Sequence, residues 1–150
     1  MPASSVSPHD VTAYPLLRIG LQAVVAPQHP LAALGRPATQ ADLAPYVQLV
    51  LSDPVGAEGA NYGVCSARVW RFVDLGRRLD FLLSGFGWCR MPDYLVTGLI
   101  ASGQLVALQI EDDPTPREGL TIYGAHRRDR VPGPAGQWLL EDLRRRLVSA

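Results

Sequence analysis

The sequence predicts an α/β fold, and three observations predict it. Short apolar, β-branched runs alternate with stretches of helical periodicity along most of the 150 residues. One stretch, Val69 to Pro92, reads as strand, helix and strand in immediate succession. The apolar content of 47% is enough for a real core, yet no run approaches the roughly 18 apolar residues that span a membrane.

The central stretch justifies itself residue by residue. Val69, Trp70, Phe72 and Val73 are β-branched or aromatic, as expected of a mostly buried strand. Asp74 can cap the next helix by accepting a backbone N–H of its first turn. Leu75, Leu79, Leu82 and Leu83 form its apolar stripe, with Arg77, Arg78 and Asp80 mostly off it. Ser84 and Gly85 end it, because glycine takes the left-handed cap without strain. Phe86 to Met91 is the second strand, stopped by Pro92. Two strands joined this way imply a right-handed parallel crossover.

The rest is placed against that unit. Residues 1–15, rich in Pro, Ser and Ala, read as a flexible lead-in. Leu16 to Val25 reads as one strand, and 26–32 as a turn, since Pro27 and Pro30 remove donors. Thr39 caps a short helix, Gln40 to Ala44, with Asp42 completing a capping box. Val47 to Leu51 is a compact strand, followed by a polar, glycine-containing loop to Gly63. Pro92 suits the first turn of a helix over Asp93–Thr97, which Gly98 is expected to end. Leu105 to Ile110 and Gly119 to His126 are further strands, separated by an acidic linker, and the sheet is expected to be largely parallel. Leu139, Leu140, Leu143 and Leu147 give the last helix an apolar face. That helix and the strand before it have too little chain around them to be covered, which points to missing chain or a partner.

Composition limits the function. Formal net charge is zero, with 14 basic and 14 acidic residues, and all the basic ones are arginine. A dedicated nucleic-acid surface would be basic. Cys65 and Cys89 do not make a disulfide framework and fit a reducing cytosol. The start of the chain has no charged segment followed by an apolar one, so it does not read as a signal peptide. His9, His29 and His126 are dispersed, without metal-ligand spacing to either cysteine, so no metal site is expected. Gly85 and Gly87 lack the third glycine of a dinucleotide site. Neither a cofactor nor a catalytic residue is expected, although Cys65 or Cys89 with His126 is a conceivable nucleophile–base pair.

Six segments in order resemble one family. A-P-Q-H-P-L-A at 26–32, L-V-L-S-D at 49–53, W-R-F-V-D-L at 70–75, G-F-G-W-C-R-M-P at 85–92, S-G-Q-L-V-A-L at 102–108 and H-R-R-D-R-V-P-G-P-A-G-Q-W-L-L at 126–140 resemble the effector-binding domain of LysR-type transcriptional regulators. The resemblance covers roughly residues 16–148. It implies a type 2 periplasmic-binding-protein-like fold, in which two α/β lobes clasp a small molecule. On that basis residues 24–118 are expected to be a complete lobe II. Residues 1–23 and 119–150 are expected to be the tail pieces of lobe I, so that the chain reads as truncated. The family's DNA-binding helix-turn-helix has no counterpart in these residues, so DNA contact is expected only through such a segment elsewhere. The implied partners are a small-molecule effector and further copies of the regulator, in the cytoplasm, with no membrane. The alternative is a free-standing solute-binding or dimerisation module that modulates an intact regulator.

Ser52, Asp53 and Trp88 are the candidate ligand-binding residues, expected together at the carboxyl ends of the strands within 24–118. Ser52 and Asp53 follow the carboxyl end of a strand, where open α/β sheets bind ligands; an ordinary Ser-Asp-Pro turn is the other reading. Trp88, beside the small Gly87, is either an apolar cleft wall or a core tryptophan.

Overall fold

The computed structural model describes residues 8–52, 64–113 and 119–148. In chain order the elements are β1 (Val11–Ile19), β2 (Leu21–Val25), α1 (Gln40–Leu43), β3 (Gln48–Leu51), β4 (Val69–Phe72), α2 (Leu75–Leu83), β5 (Trp88–Pro92), α3 (Asp93–Ala101), β6 (Val106–Ala107), β7 (Leu120–Arg127) and α4 (Pro134–Val148). Single 3-10 turns lie at Pro8–Asp10 and Pro30–Ala33. The chain divides into two compact units, Gly20–Arg117 and the pair Met1–Ile19 with Glu118–Ala150.

The larger unit is built on a five-stranded sheet in the order β4-β3-β5-β2-β6. β3 is parallel to both β4 and β5, whereas β2 is antiparallel to β5 and to β6. The sheet is therefore mixed, and the expectation of a largely parallel sheet holds only for β4, β3 and β5. Alternation along the strands feeds two cores. Val24, Cys89 and Met91 face α2 and α3, where they meet Leu49, Leu82, Val96 and Leu105. Val25 and Trp88 point to the other face and meet Leu31, Ala38 and Leu43, from the 30–33 turn and the segment around α1. The result is three layers, with the sheet in the middle.

Local chemistry fixes the ends of these elements. Thr39 and Asp42 form the expected capping box, and Arg36 grips the Asp42 carboxylate with both guanidinium nitrogens at 2.7 and 3.0 Å. Asp74 accepts the Arg77 amide at 2.7 Å and so caps α2. At the other end Gly85 takes φ +80°, its N–H donates to Leu82, and the Phe86 N–H donates to Phe81. This is a Schellman motif, and its usual apolar contact is present as the Phe81–Phe86 ring pair at 5.2 Å.

Four details depart from the sequence reading. The strand expected over 16–25 is two strands, broken at Gly20, and β1 begins at Val11 within the expected lead-in. Pro15 is tolerated there because it sits at an irregularity in a two-stranded ladder. Gly98 does not end α3, which continues to Ala101; the stop comes at Ser102 and Gly103, whose φ is +77°. The expected strand 105–110 is reduced to Val106–Ala107, with a separate bridge between Ala38 and Ile110. Arg78 is not on the solvent side of α2; it is buried.

The smaller unit is a ribbon of β1 and β7, antiparallel from Val11↔Arg127 to Ile19↔Leu120, with α4 beside it. Leu16 and Leu140 close over Gly124. None of the unit's described apolar side chains is fully buried, and Trp138 and Leu139 are 60% and 50% exposed.

Candidate functional site

β3 occupies a distinctive place in the sheet. Its sequence neighbour β4 lies on one side, and β5, reached by crossing back through α2, lies on the other. Such a reversal of direction opens a crevice outside the carboxyl ends of the two flanking strands, because the connections leave it on opposite sides. Here those strands are β3 and β5, which end at Leu51 and Pro92.

Ser52 is the first residue beyond β3. Its amide donates to the Phe72 carbonyl at 2.7 Å and its hydroxyl reaches the same oxygen at 3.3 Å. It is half-buried. The two bonds tie the ends of β3 and β4 together and fix the hydroxyl just beyond the carboxyl end of β3. Asp53, the second sequence candidate, lies outside the described residues.

Trp88 is elsewhere, which corrects the expectation that it shares a strand end with Ser52. The parallel register sets Trp88 against Gln48, at the opposite end of β3. At about 3.3 Å per residue, the four residues to Ser52 span roughly 13 Å. The ring is fully buried in the second core, and its indole N–H finds no acceptor among the described residues. The sequence showed the small neighbour and the aromatic ring; it did not show the register, which alone decides the end of the strand.

One residue that sequence reasoning did not select lies directly beyond the end of β5. Asp93 starts α3, where its amide donates to the Gly20 carbonyl at 3.1 Å. Its carboxylate lies over Gly20 so closely that any side chain there would collide with it. A glycine between two strand-like runs was the available signal.

A separate polar cluster lies along the second face of the sheet. Gln48 Oε1 accepts the amides of Cys65 and Ser66 at 2.8 and 3.1 Å, and the Ser66 hydroxyl donates to Tyr46. Arg90, 8% exposed, donates to Asp113 at 2.6 Å and lies 5.6 Å over the Trp88 ring. Both terminal nitrogens of Arg90 also approach the Cys65 sulfur at 3.6 Å. Cys89 lies on the other face, and burial pushes its thiol up to about 12, so it is neutral and a poor nucleophile near neutrality. Cys65 and Cys89 belong to the larger unit and His126 to the smaller. Among the described residues no group of acidic, histidine or cysteine side chains could hold a metal ion.

A layered α/β unit whose connections reverse direction at β3 and β5 has the architecture on which open α/β sheets bind ligands. The chain belongs to the LysR substrate binding domain family, whose model matches residues 2–148. It is the effector-sensing part of a LysR-type transcription regulator, with a periplasmic-binding-protein-like fold. No curated protein matches the chain by sequence. Solved structures do. The effector binding domain of QuiR in complex with shikimate is 21% identical, with a TM-score of 0.68, over 98% of this chain and 70% of that one. The regulatory domain of CcmR from Synechocystis PCC6803, in complex with 2-PG, is 18% identical, with a TM-score of 0.67, over 98% and 70%. The regulatory domain of MetR from N. meningitidis is 19% identical, with a TM-score of 0.65, over 97% and 68%.

Proposed function

We propose that this domain senses a small organic acid at the carboxyl ends of β3 and β5, with Ser52 and Asp53 as its contacts. The observation that carries this reading is the position of Ser52, a half-buried hydroxyl fixed just beyond the carboxyl end of β3. An acid is favoured because shikimate, bound by one similar domain, carries a carboxylate. Trp88 enters through its buried N–H, which has no acceptor among the described residues and would gain one from a polar ligand atom or a water reaching into the core.

The domain acts by binding and not by catalysis. The effector shifts a pre-existing balance between regulator conformations by binding one of them more tightly. The assembly is a cytoplasmic homo-oligomer that touches DNA through a helix-turn-helix outside the matched residues. The second reading, a module that shares subunits with an intact regulator, is favoured by the exposed apolar side chains of the smaller unit. No described helix is long and apolar enough to cross a membrane.

Calorimetry with a panel of small aromatic and hydroxylated acids, shikimate included, tests the site. Ser52→Ala should weaken the best binder at least tenfold, about 1.4 kcal/mol. Trp88→Phe keeps an aromatic ring, though a smaller one, and removes the N–H. If neither change weakens binding by more than about threefold, the site lies elsewhere.

A further inference from the structure

Two arginines are buried in the larger unit, and their surroundings differ. Arg90 has the Asp113 carboxylate at 2.6 Å. Arg78 has no such partner. It follows Leu75 by three residues and precedes Leu82 by four, so helical spacing sets it on the apolar face of α2. The residue is 7% exposed, and its Nε is sealed from solvent with no acceptor. No carboxylate or carbonyl among the described residues accepts a hydrogen bond from its guanidinium. The terminal nitrogens are not sealed as Nε is, so the fork keeps a narrow opening. The polar side chain nearest in charge terms is Cys89, on β5, and burial holds that thiol in its neutral form. It supplies no counter-charge.

An arginine buried without a carboxylate is costly, because it gives up hydration and receives little in return. A neutral residue of similar length, such as methionine, would suit the stripe better. We propose that Arg78 is the receptor for a small oxyanion, bound by its guanidinium fork between α2 and β5. The chemistry is that of a planar double donor, which pairs two oxygens of a carboxylate, phosphate or sulfate at once. The low-dielectric surroundings of Leu75, Leu79 and Leu82 strengthen the pairing. This site is distinct from Ser52, which follows the carboxyl end of β3.

Thermal unfolding of the whole chain tests the proposal. Sodium phosphate, sodium sulfate and sodium acetate are titrated against sodium chloride at equal ionic strength. An ion that binds only the folded chain raises Tm in a saturable way. The expected result is such a rise in the wild type, its loss in Arg78→Met and its retention in Ser52→Ala. A response to phosphate and sulfate alone identifies a tetrahedral anion; a response to acetate as well identifies the carboxylate of an organic acid. Without added oxyanion, Arg78→Met should be at least as stable as the wild type. Arg78→Gln, uncharged but polar, repeats the comparison if the methionine variant does not fold. An equal rise in wild type and Arg78→Met reflects general salt effects and overturns the proposal, as do no rise at all and an equal loss in Ser52→Ala.

Discussion

Gly87 and Val47 approach so closely that the backbone carbonyl of Val47 fills the space a side chain on Gly87 would need. The approach is imposed by the sheet: the next residue, Trp88, donates its N–H to that same carbonyl at 3.1 Å. Gly87→Ala must push β3 and β5 apart where both cores depend on their spacing. The expected cost is about 2–3 kcal/mol, at the upper end of ordinary substitutions. Urea or thermal unfolding reads it, and a loss below about 0.5 kcal/mol would mean that the strands yield freely.

The Arg90–Asp113 pair should behave as a buried ion pair on one side only. Arg90 is 8% exposed, whereas the Asp113 side chain keeps 34% of its surface. Asp113→Ala leaves a buried guanidinium short of its carboxylate and should destabilise by about 2 kcal/mol, below the roughly 3–5 kcal/mol of a fully buried pair. Arg90→Met in the same background should restore part of that loss. A double-mutant cycle measures the coupling, and additive losses would show that the pair is not coupled.

His29 gives the stability a pH dependence near neutrality. Its Nδ1 accepts the Leu31 amide at 3.2 Å, and the ring packs edge-on against Tyr46 at 4.8 Å. Burial lowers its pKa from the ordinary value of 6.5. The unfolded chain therefore takes up the proton first, so stability is full above about pH 6.5 and declines as pH falls below it. His29→Asn keeps a capping acceptor without the titration. Denaturation midpoints between pH 7.5 and pH 5 should fall for the wild type more steeply than for the variant, by the margin that His29 contributes.

Trp138 and Leu139 predict association. They are 60% and 50% exposed, while Ile122 and Tyr123 of the same unit are 40% and 57% exposed. Several large apolar side chains exposed on one small unit are the kind of surface that interfaces cover. Sedimentation should show mass rising with concentration, and Trp138→Asp should weaken that association at least tenfold, about 1.4 kcal/mol. A chain that stays monomeric at high concentration would refute it.

These comparisons also show what the residues themselves could reveal. Caps were legible because they are local: Thr39 with Asp42, Asp74 and Gly85 act within one turn of chain. The sheet was partly legible, since the strand–helix–strand pattern at 69–92 requires a parallel return. The reversed direction of β2 was not legible, because pairing between Leu21–Val25 and Trp88–Pro92 is decided by contacts distant in sequence. The same limit moved Trp88 away from Ser52. Arg78 was misplaced for another reason: a charged residue on a helix is normally assigned to water, and only packing reveals one turned inward.

The position of β2 has a consequence for how the protein is made. Val24 and Val25 leave the ribosome well before the strands on either side of them, β5 and β6. At roughly 5–20 residues per second, several seconds pass before the nascent chain can offer β2 a partner. During that interval an apolar strand with two unpaired edges is exposed, next to Pro27 and Pro30, which cannot donate to an intruding strand. Release from the ribosome before Pro92 has emerged would leave a chain able to form β3 and β4 but not its own central strand. Such a product should be bound by chaperones or degraded, so the cell's supply of this sensor depends on uninterrupted translation through the fifth strand.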